Sequence, residues 1–201
     1  MTSPQQPEPA ADRSYRSPLA IVGGLLLLAF AAWIGGDALI RGEGRARWVA
    51  LAALLLVVPL IAAFTFRPVV RANHDRMIVR NPFRTIELPW AAVSTVRAGY
   101  SSEVFTKGGT KYQLWSIPVS LRERKRAARL QDRAAAKSGA SAPHVAEAMG
   151  ADRSIAELRQ LAEQCASRPT AQGEPRVRWA YEVIATSLVG LVLLVVLTTT
   201  A

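Results

Sequence analysis

The chain has little of the chemistry that enzymes and metalloproteins use, because its 201 residues include one cysteine and two histidines. Cys165 has no partner for an internal disulfide, which agrees with a reducing compartment. His74 and His144 lie far apart and have no companion cysteine or carboxylate at metal-ligand spacing, which argues against a zinc site. Nucleotide-binding signatures and the serine-hydrolase elbow are also absent. We therefore predict a protein without catalytic activity, cofactor or metal.

Aromatic residues make up only 7% of the chain, and none interleaves with its basic run. This argues against nucleic-acid binding through base stacking. The positive charge is concentrated, since 20 of the 25 Lys and Arg but only 10 of the 15 Asp and Glu lie between Arg67 and Arg178. Such an excess attracts anionic lipid headgroups, nucleic acid or acidic proteins without choosing among them, but it also serves as a plain topology and solubility signal. Both interpretations stay open.

Three apolar runs are long enough to cross a bilayer, because about 20 helical residues at ~1.5 Å each span its ~30 Å core. They cover residues 18–40, 48–66 and 179–200 and predict a transmembrane hairpin over 18–66 and a final transmembrane helix. A cleaved signal peptide is the alternative for the first run. The run continues to Ile40, however, and the Pro/Gln-rich residues 1–17 resemble a disordered tail rather than a basic leader.

Basic residues near the predicted spans indicate the topology, because cationic segments resist translocation. They cluster after the second span and before the third, in the insert between them, and the tail adds two more: Arg67, Arg71, Arg76, Arg80, Arg168, Arg176, Arg178, Arg13, Arg16. The loop 41–47 has only three. We predict a multi-pass protein of the cell membrane with its tail and insert in the cytoplasm and its C-terminal end outside.

The first part of the insert, residues 67–118, has the short alternating runs and turn signals of an antiparallel sheet. Asn81-Pro82 predicts one hairpin turn, and Gly108-Gly109 suits the positive φ angles of another. Pro89 blocks ladder pairing and starts a short turn through Ala92. The predicted strands are 77–80, 85–88, 93–98, 102–106 and 111–117. Ile86 and Leu88 share one face of their strand, and Val93 and Val96 are predicted core residues.

The hairpin Val79-Arg80-Asn81-Pro82-Phe83-Arg84, followed by Ile86-Glu87-Leu88-Pro89-Trp90 and then Val93 and Val96, resembles a known family. It is similar to the bacterial PH-like domains of small actinobacterial membrane proteins, typified by low-molecular-weight protein antigen 6. The resemblance covers roughly residues 67–125 and implies a curved PH-like sheet closed by a helix. It also implies a family whose biochemical role is largely undefined.

Phosphoinositide-binding PH domains usually carry several Lys or Arg in their first strand and hairpin loop. The corresponding loop here, Ala72 to Asp75, contains no basic cluster but has basic neighbours. A pocket for an anionic headgroup could be built from Arg71, His74, Arg76 and Arg84.

Residues 119–137 read as a helix, because helix-forming residues dominate and no Gly or Pro interrupts them. Five basic residues recur on one face at spacings of three and four: Arg122, Arg126, Arg129, Arg133, Lys137. At ~1 kcal/mol each near an anionic leaflet, they could hold the domain against the membrane. The alternative is a solvated helix that caps the sheet.

A second amphipathic helix is predicted before residue 166, with a capping box formed by Ser154 and Glu157. Its apolar face, Ile155, Leu158, Leu161 or Ala162, and Cys165, packs on the sheet or docks a partner helix. Residues 167–178 form a linker back to the membrane. The predicted fold class is thus an α+β membrane protein, with three transmembrane helices and an inserted PH-like sheet followed by helices over 119–166.

Two functions remain open at this point. The first is a non-enzymatic interaction or scaffolding module that binds a protein partner at the cytoplasmic face. The second is an electrostatic reader of anionic membrane lipids that uses the basic helix face.

Overall fold

A computed structural model of the chain describes residues 13–117 and 145–200. The fold divides into two compact units. The first contains the segment that ends at Tyr15, Val70–Val79 and Glu87–Arg176, and the second contains Arg16–Val69, Arg80–Ile86 and the chain from Val177 onward.

The second unit is built on three apolar helices: α1 (Pro18–Arg41), α2 (Arg45–Thr65) and a helix at Tyr181–Thr199 that becomes α4 in chain order. All three are long and apolar enough to cross a membrane. α1 begins where the Ser17 side chain accepts a hydrogen bond from the Ala20 amide and Pro18 fixes the first turn. The three predicted spans are therefore confirmed as helices of spanning length.

Small residues let these helices approach closely, as is usual where apolar helices pack together. α1 and α4 both pack on α2. Gly35 faces Leu54, and a Cβ at Gly190 would lie 2.5 Å from the backbone nitrogen of Leu56. Next to this bundle, Arg67 pairs with Glu182 at 3.0 Å and Phe64 stacks edge-on against Phe83.

The first sheet has five strands in the order β1-β2-β3-β4-β8. Their bounds are β1 Arg13–Tyr15, β2 Val69–Ala72, β3 Arg76–Arg80, β4 Arg84–Pro89 and β8 Arg176–Trp179. β1 pairs antiparallel with β2, and the Asn81 amide bonds to the Arg84 carbonyl at the predicted Asn-Pro turn. Pro89 ends β4, and a 3₁₀ turn at Trp90–Ala92 follows, as predicted.

The second sheet is an antiparallel meander of β5 (Val93–Ala98), β6 (Ser102–Thr106) and β7 (Lys111–Gln113). β5 and β6 have the predicted bounds, whereas β7 ends at Gln113 rather than at Ile117. Gly109 has φ +80° in the turn between β6 and β7, which is the conformation that a glycine pair favours there. The α+β class with antiparallel sheets is thus confirmed.

The core of the first unit lies between these strands and α3 (Val145–Cys165). Val93 and Val96 are buried as predicted, together with Met77, Leu88 and Trp90. Ile86 is also buried and belongs to the second unit. The apolar stripe of α3 is also buried, at Ile155, Leu158, Leu161 and Cys165. α3 therefore packs against β5 and the 3₁₀ turn rather than presenting this stripe to solvent.

Three local predictions differ from the structure. Ser154 lies inside α3, nine residues after its first residue Val145, so the capping-box interpretation is wrong. The segment predicted as a linker contains a 3₁₀ turn at Pro169–Ala171 and strand β8. Residues Arg13–Tyr15 of the predicted tail form β1. Both extra strands owe their structure to pairing with distant segments, which local patterns do not encode.

Candidate functional site

The turn between β2 and β3 is held by its own side chains. Asn73 Oδ1 accepts hydrogen bonds from the Asp75 amide at 3.0 Å and the Arg76 amide at 2.9 Å, which is an Asx turn. The buried Trp90 donates its indole N–H to the Asn73 carbonyl at 2.7 Å. The Pro-Trp turn therefore stabilises the β2–β3 turn through this hydrogen bond.

The end of α3 and the 3₁₀ turn after it lie beside the same loop. Cys165 Sγ is 3.8 Å from His74 Nδ1, and the Thr170 hydroxyl donates to Asp75 Oδ1. Cys165 is 3% exposed, so burial dominates its environment, as the sequence predicted. This corner of the first unit is consequently tied together by side chains from three separate segments.

A small cavity of about 60 Å³ opens at this corner. It is lined by Arg13, Ala72, Asn73, His74 and Leu161. Arg13 and His74 bring side-chain nitrogens to its lining, but the volume is suited to a few water molecules rather than to a lipid headgroup. The cavity marks the place where β1, the β2–β3 turn and α3 meet.

Glu157 on α3 connects β1 to the rest of this unit. The Tyr15 hydroxyl donates to Glu157 Oε2 at 2.8 Å, and Arg13 lies 3.6 Å from the same oxygen. Arg153 pairs with the other oxygen at 3.4 Å. Burial, followed by the hydrogen bond and the negative charge of Glu157, raises the pKa of Tyr15 to about 12. The carboxylate thus gathers three side chains, two of them from β1.

Sequence reasoning missed this cluster. Tyr15 lies between polar residues in a segment rich in Pro and Gln, and it offers no alternation long enough to predict a strand. Glu157 was predicted as part of a helix cap, whereas its carboxylate contacts residues more than a hundred positions away. A lone tyrosine flanked by arginines was the only available signal, and it names no partner.

The four residues of the predicted headgroup pocket lie on three strands and one turn, and they belong to two units. Arg71 and Arg76 alternate with buried residues of β2 and β3, so both lie on the outer face of the sheet. Arg76 pairs with Glu87 at 3.6 Å. His74 is exposed in the turn next to Cys165, and Arg84 begins β4 in the second unit. Arg71, His74 and Arg76 therefore belong to the first unit and Arg84 does not. A pocket built from all four residues stays a prediction.

The predicted basic helix falls outside the described residues. This applies to all five residues of its basic face: Arg122, Arg126, Arg129, Arg133, Lys137. Their contribution to an anionic surface stays a prediction. Among the side chains that the structure describes, in residues 13–117 and 153–200, no group of three or more His, Cys, Asp or Glu lies close enough to hold a metal ion.

The first unit offers a turn held by side-chain hydrogen bonds, a three-residue edge strand and a carboxylate that contacts an arginine and a tyrosine. A family model described as bacterial PH domain matches residues 67–151, which is less than half of the chain. No curated protein and no solved structure matches the chain. PH domains are generally non-catalytic modules that bind lipids or proteins.

Proposed function

We propose that this protein is a non-enzymatic integral membrane protein whose PH-like domain serves as a protein-interaction or scaffolding module at the cytoplasmic face. The observation that carries the proposal is the position of the bacterial PH domain match, residues 67–151. The match lies between the second and third candidate spans, which end at Thr65 and begin at Tyr181. A binding module inserted in this way is tethered at both ends.

The apolar helices support the membrane part of the proposal. Their large side chains are mostly exposed, with Leu19 at 73% and Trp33 at 72%. An apolar surface of this extent is typical of contact with lipid or with another protein, not with water. The links between helices and strands are short, since Ala180 alone separates β8 from α4.

The orientation rests on the basic residues that flank the candidate spans. With the tail and the insert in the cytoplasm, the excess of Arg is on the retained side, which is the side that the positive-inside rule selects. The finer assignment to the antigen 6 group of actinobacteria rests on the Asn-Pro and Pro-Trp turns and stays a prediction.

Reporter fusions after Lys125 and after Ala201 test the topology. We expect a reporter that is active only in the cytoplasm to work after Lys125 and to fail after Ala201, because three crossings place these positions on opposite sides. A second reporter, active only outside, should give the reverse pattern. Cytoplasmic activity at both positions, or outside activity after Lys125, would reject the proposed arrangement.

Binding of anionic lipid is the second candidate, and the charge of the insert favours it. The full net charge of +10 lies between Arg67 and Arg178. The test compares the protein in neutral-lipid nanodiscs with its variant that carries Gln at Arg122, Arg126, Arg129 and Arg133. If lipid binding is the function, only the natural chain should cosediment with anionic vesicles, and only at low salt. Equal cosedimentation of both chains would exclude the basic face.

Chemical crosslinking in cells separates the two candidates. A scaffold should yield a discrete crosslinked protein that survives washing at high salt, because a packed interface depends little on screened charge. Recovery of lipid alone, or loss of every crosslinked protein as salt rises, would favour the electrostatic candidate instead.

A further inference from the structure

β1 is a minimal edge strand. It has three residues, Arg13–Tyr15, and it pairs only with β2 at the end of the sheet order. The register is Arg13 opposite Ala72, Ser14 opposite Arg71 and Tyr15 opposite Val70. Arg13 and Ser14 are exposed and Tyr15 is half-buried, so little apolar surface holds this strand in place.

β2, the strand that β1 pairs with, is more deeply buried than β1. Val69, Val70 and Ala72 are buried, and the other side of β2 pairs with β3. Without β1, the amide and carbonyl groups of β2 that face it would be unpaired, and an unpaired edge recruits another extended chain. β1 therefore covers a strand edge that could pair with another extended segment in its place.

Specificity at this edge comes from one carboxylate. Arg13 and Tyr15 are two residues apart, so their side chains lie on the same face of β1 and both reach Glu157. Ser14 lies on the opposite face. Any extended segment that presents a cation and, two residues later, a tyrosine could make the same two contacts in the same register.

β5, an edge strand of the second sheet, is covered by a side chain rather than by a strand. Arg159 of α3 donates two hydrogen bonds to the Val96 carbonyl of β5, at 2.9 and 3.3 Å. This donor belongs to a helix whose apolar stripe is buried in the core, whereas the cover of β2 is a three-residue strand. We therefore expect β1 to leave the β2 edge more readily than α3 leaves the β5 edge.

We propose that β1 is an exchangeable occupant of the β2 edge, and that this edge is where the domain docks its protein partner. The partner is an extended segment of another protein that carries Arg or Lys followed two residues later by Tyr, and it replaces β1 strand for strand. Its cation and phenol take the positions of Arg13 and Tyr15 at Glu157. The inference rests on the proposed interaction function and names its binding surface.

A direct test uses the full chain in nanodiscs and a fluorescein-labelled peptide with the sequence of residues 11–17. In the double variant Arg13→Ala with Tyr15→Ala, β1 loses both contacts with Glu157 while the edge is kept. We expect this variant to bind the peptide at least about tenfold more tightly than the natural chain, a factor that corresponds to ~1.4 kcal/mol. Adding Glu157→Ala to the double variant should abolish the gain.

A covalent lock supplies the matched control. Ser14 and Arg71 are directly opposite in the ladder, so Ser14→Cys with Arg71→Cys should form an internal disulfide that fixes β1. The native Cys165 is buried and should not compete. Peptide binding should be absent in the oxidised chain and should return on reduction. The single variant Ser14→Cys and a peptide with Ala at both key positions serve as negative controls.

Several results would overturn the inference. These are equal peptide affinity in the natural chain and the double variant, peptide binding to the oxidised lock, or disulfide-linked dimers in place of the internal crosslink. Dimers would mean that β1 pairs with a second copy. The purified-chain assay is independent of topology, so peptide binding together with a Lys125 fusion on the outside would reject the proposed orientation and leave the docking edge intact.

Discussion

Replacing Trp90 with Phe should weaken the first unit while keeping an aromatic ring in its core. Trp90 is fully buried, and its indole N–H is the 2.7 Å donor to the Asn73 carbonyl. Losing a donor to a buried acceptor costs roughly 1–3 kcal/mol, and since Asn73 is half-buried we expect about 1 kcal/mol. The smaller ring adds about 1 kcal/mol, well below the ~3–5 kcal/mol of truncation to Ala.

The sole cysteine of the chain reports this loss. Cys165 is 3% exposed and belongs to the same compact unit as Trp90, so a thiol reagent reaches it only when this unit opens. A loss of about 2 kcal/mol makes the open state roughly thirtyfold more populated, and labelling of Cys165 in the full chain should accelerate by that factor.

Trp115→Phe is the matched control, because Trp115 is 46% exposed. A half-exposed ring should change the labelling rate little, by no more than about threefold, since such substitutions stay within about 0.5 kcal/mol. The reasoning fails if Trp90→Phe leaves the labelling of Cys165 unchanged. It also fails if the two variants accelerate labelling equally, since burial would then not set the effect.

Two further predictions concern the helices and β1. Gly190→Ala should lower the stability of the helical bundle by about 1–3 kcal/mol, because the new Cβ would lie 2.5 Å from the Leu56 nitrogen. Gly36→Ala is the control, because Gly36 has open space around it and the substitution should leave the stability unchanged. Unfolding of the two variants in mixed detergent micelles measures the difference. Ultraviolet titration should show one tyrosine ionising at about 12, and Tyr15→Phe should remove that step. Folding raises the pKa of Tyr15 above its usual 10.0, so this contribution to stability is complete below pH 10.0 and is lost as the pH rises through about 12. A titration that is unchanged in Tyr15→Phe would show that burial and the Glu157 contact do not raise the pKa of Tyr15.

Local sequence signals predicted the elements that carry their own pattern. The helices of spanning length follow from uninterrupted apolar runs, and β5 and β6 have their predicted bounds because alternation and turn residues mark both ends. Ile86, Leu88 and Val96 are buried because they share the inner face of their strands. In each case the information lies within a few residues.

The candidate site depends on contacts between distant parts of the chain. Glu157 and Tyr15 are 142 positions apart, and nothing in either neighbourhood indicates the other. α3 begins well before the predicted cap at Ser154. The helix packs against β5 and the 3₁₀ turn, which are contacts that its local pattern does not name. Of the predicted basic residues, those of the 119–137 helix stay predictions, and Arg71 and Arg76 lie on the outer face of the sheet.

The amino-acid sequence by itself determined the apolar helices, the hairpins and the faces that are buried, since hydrophobic periodicity and turn residues act over a few positions. Tertiary structure alone decided that Arg13–Tyr15 become a strand on β2, that Arg176–Trp179 join the same sheet and that Glu157 holds the first of them. These short polar segments have too little surface to fold locally. They become ordered only because another part of the chain supplies hydrogen-bond partners and an opposite charge.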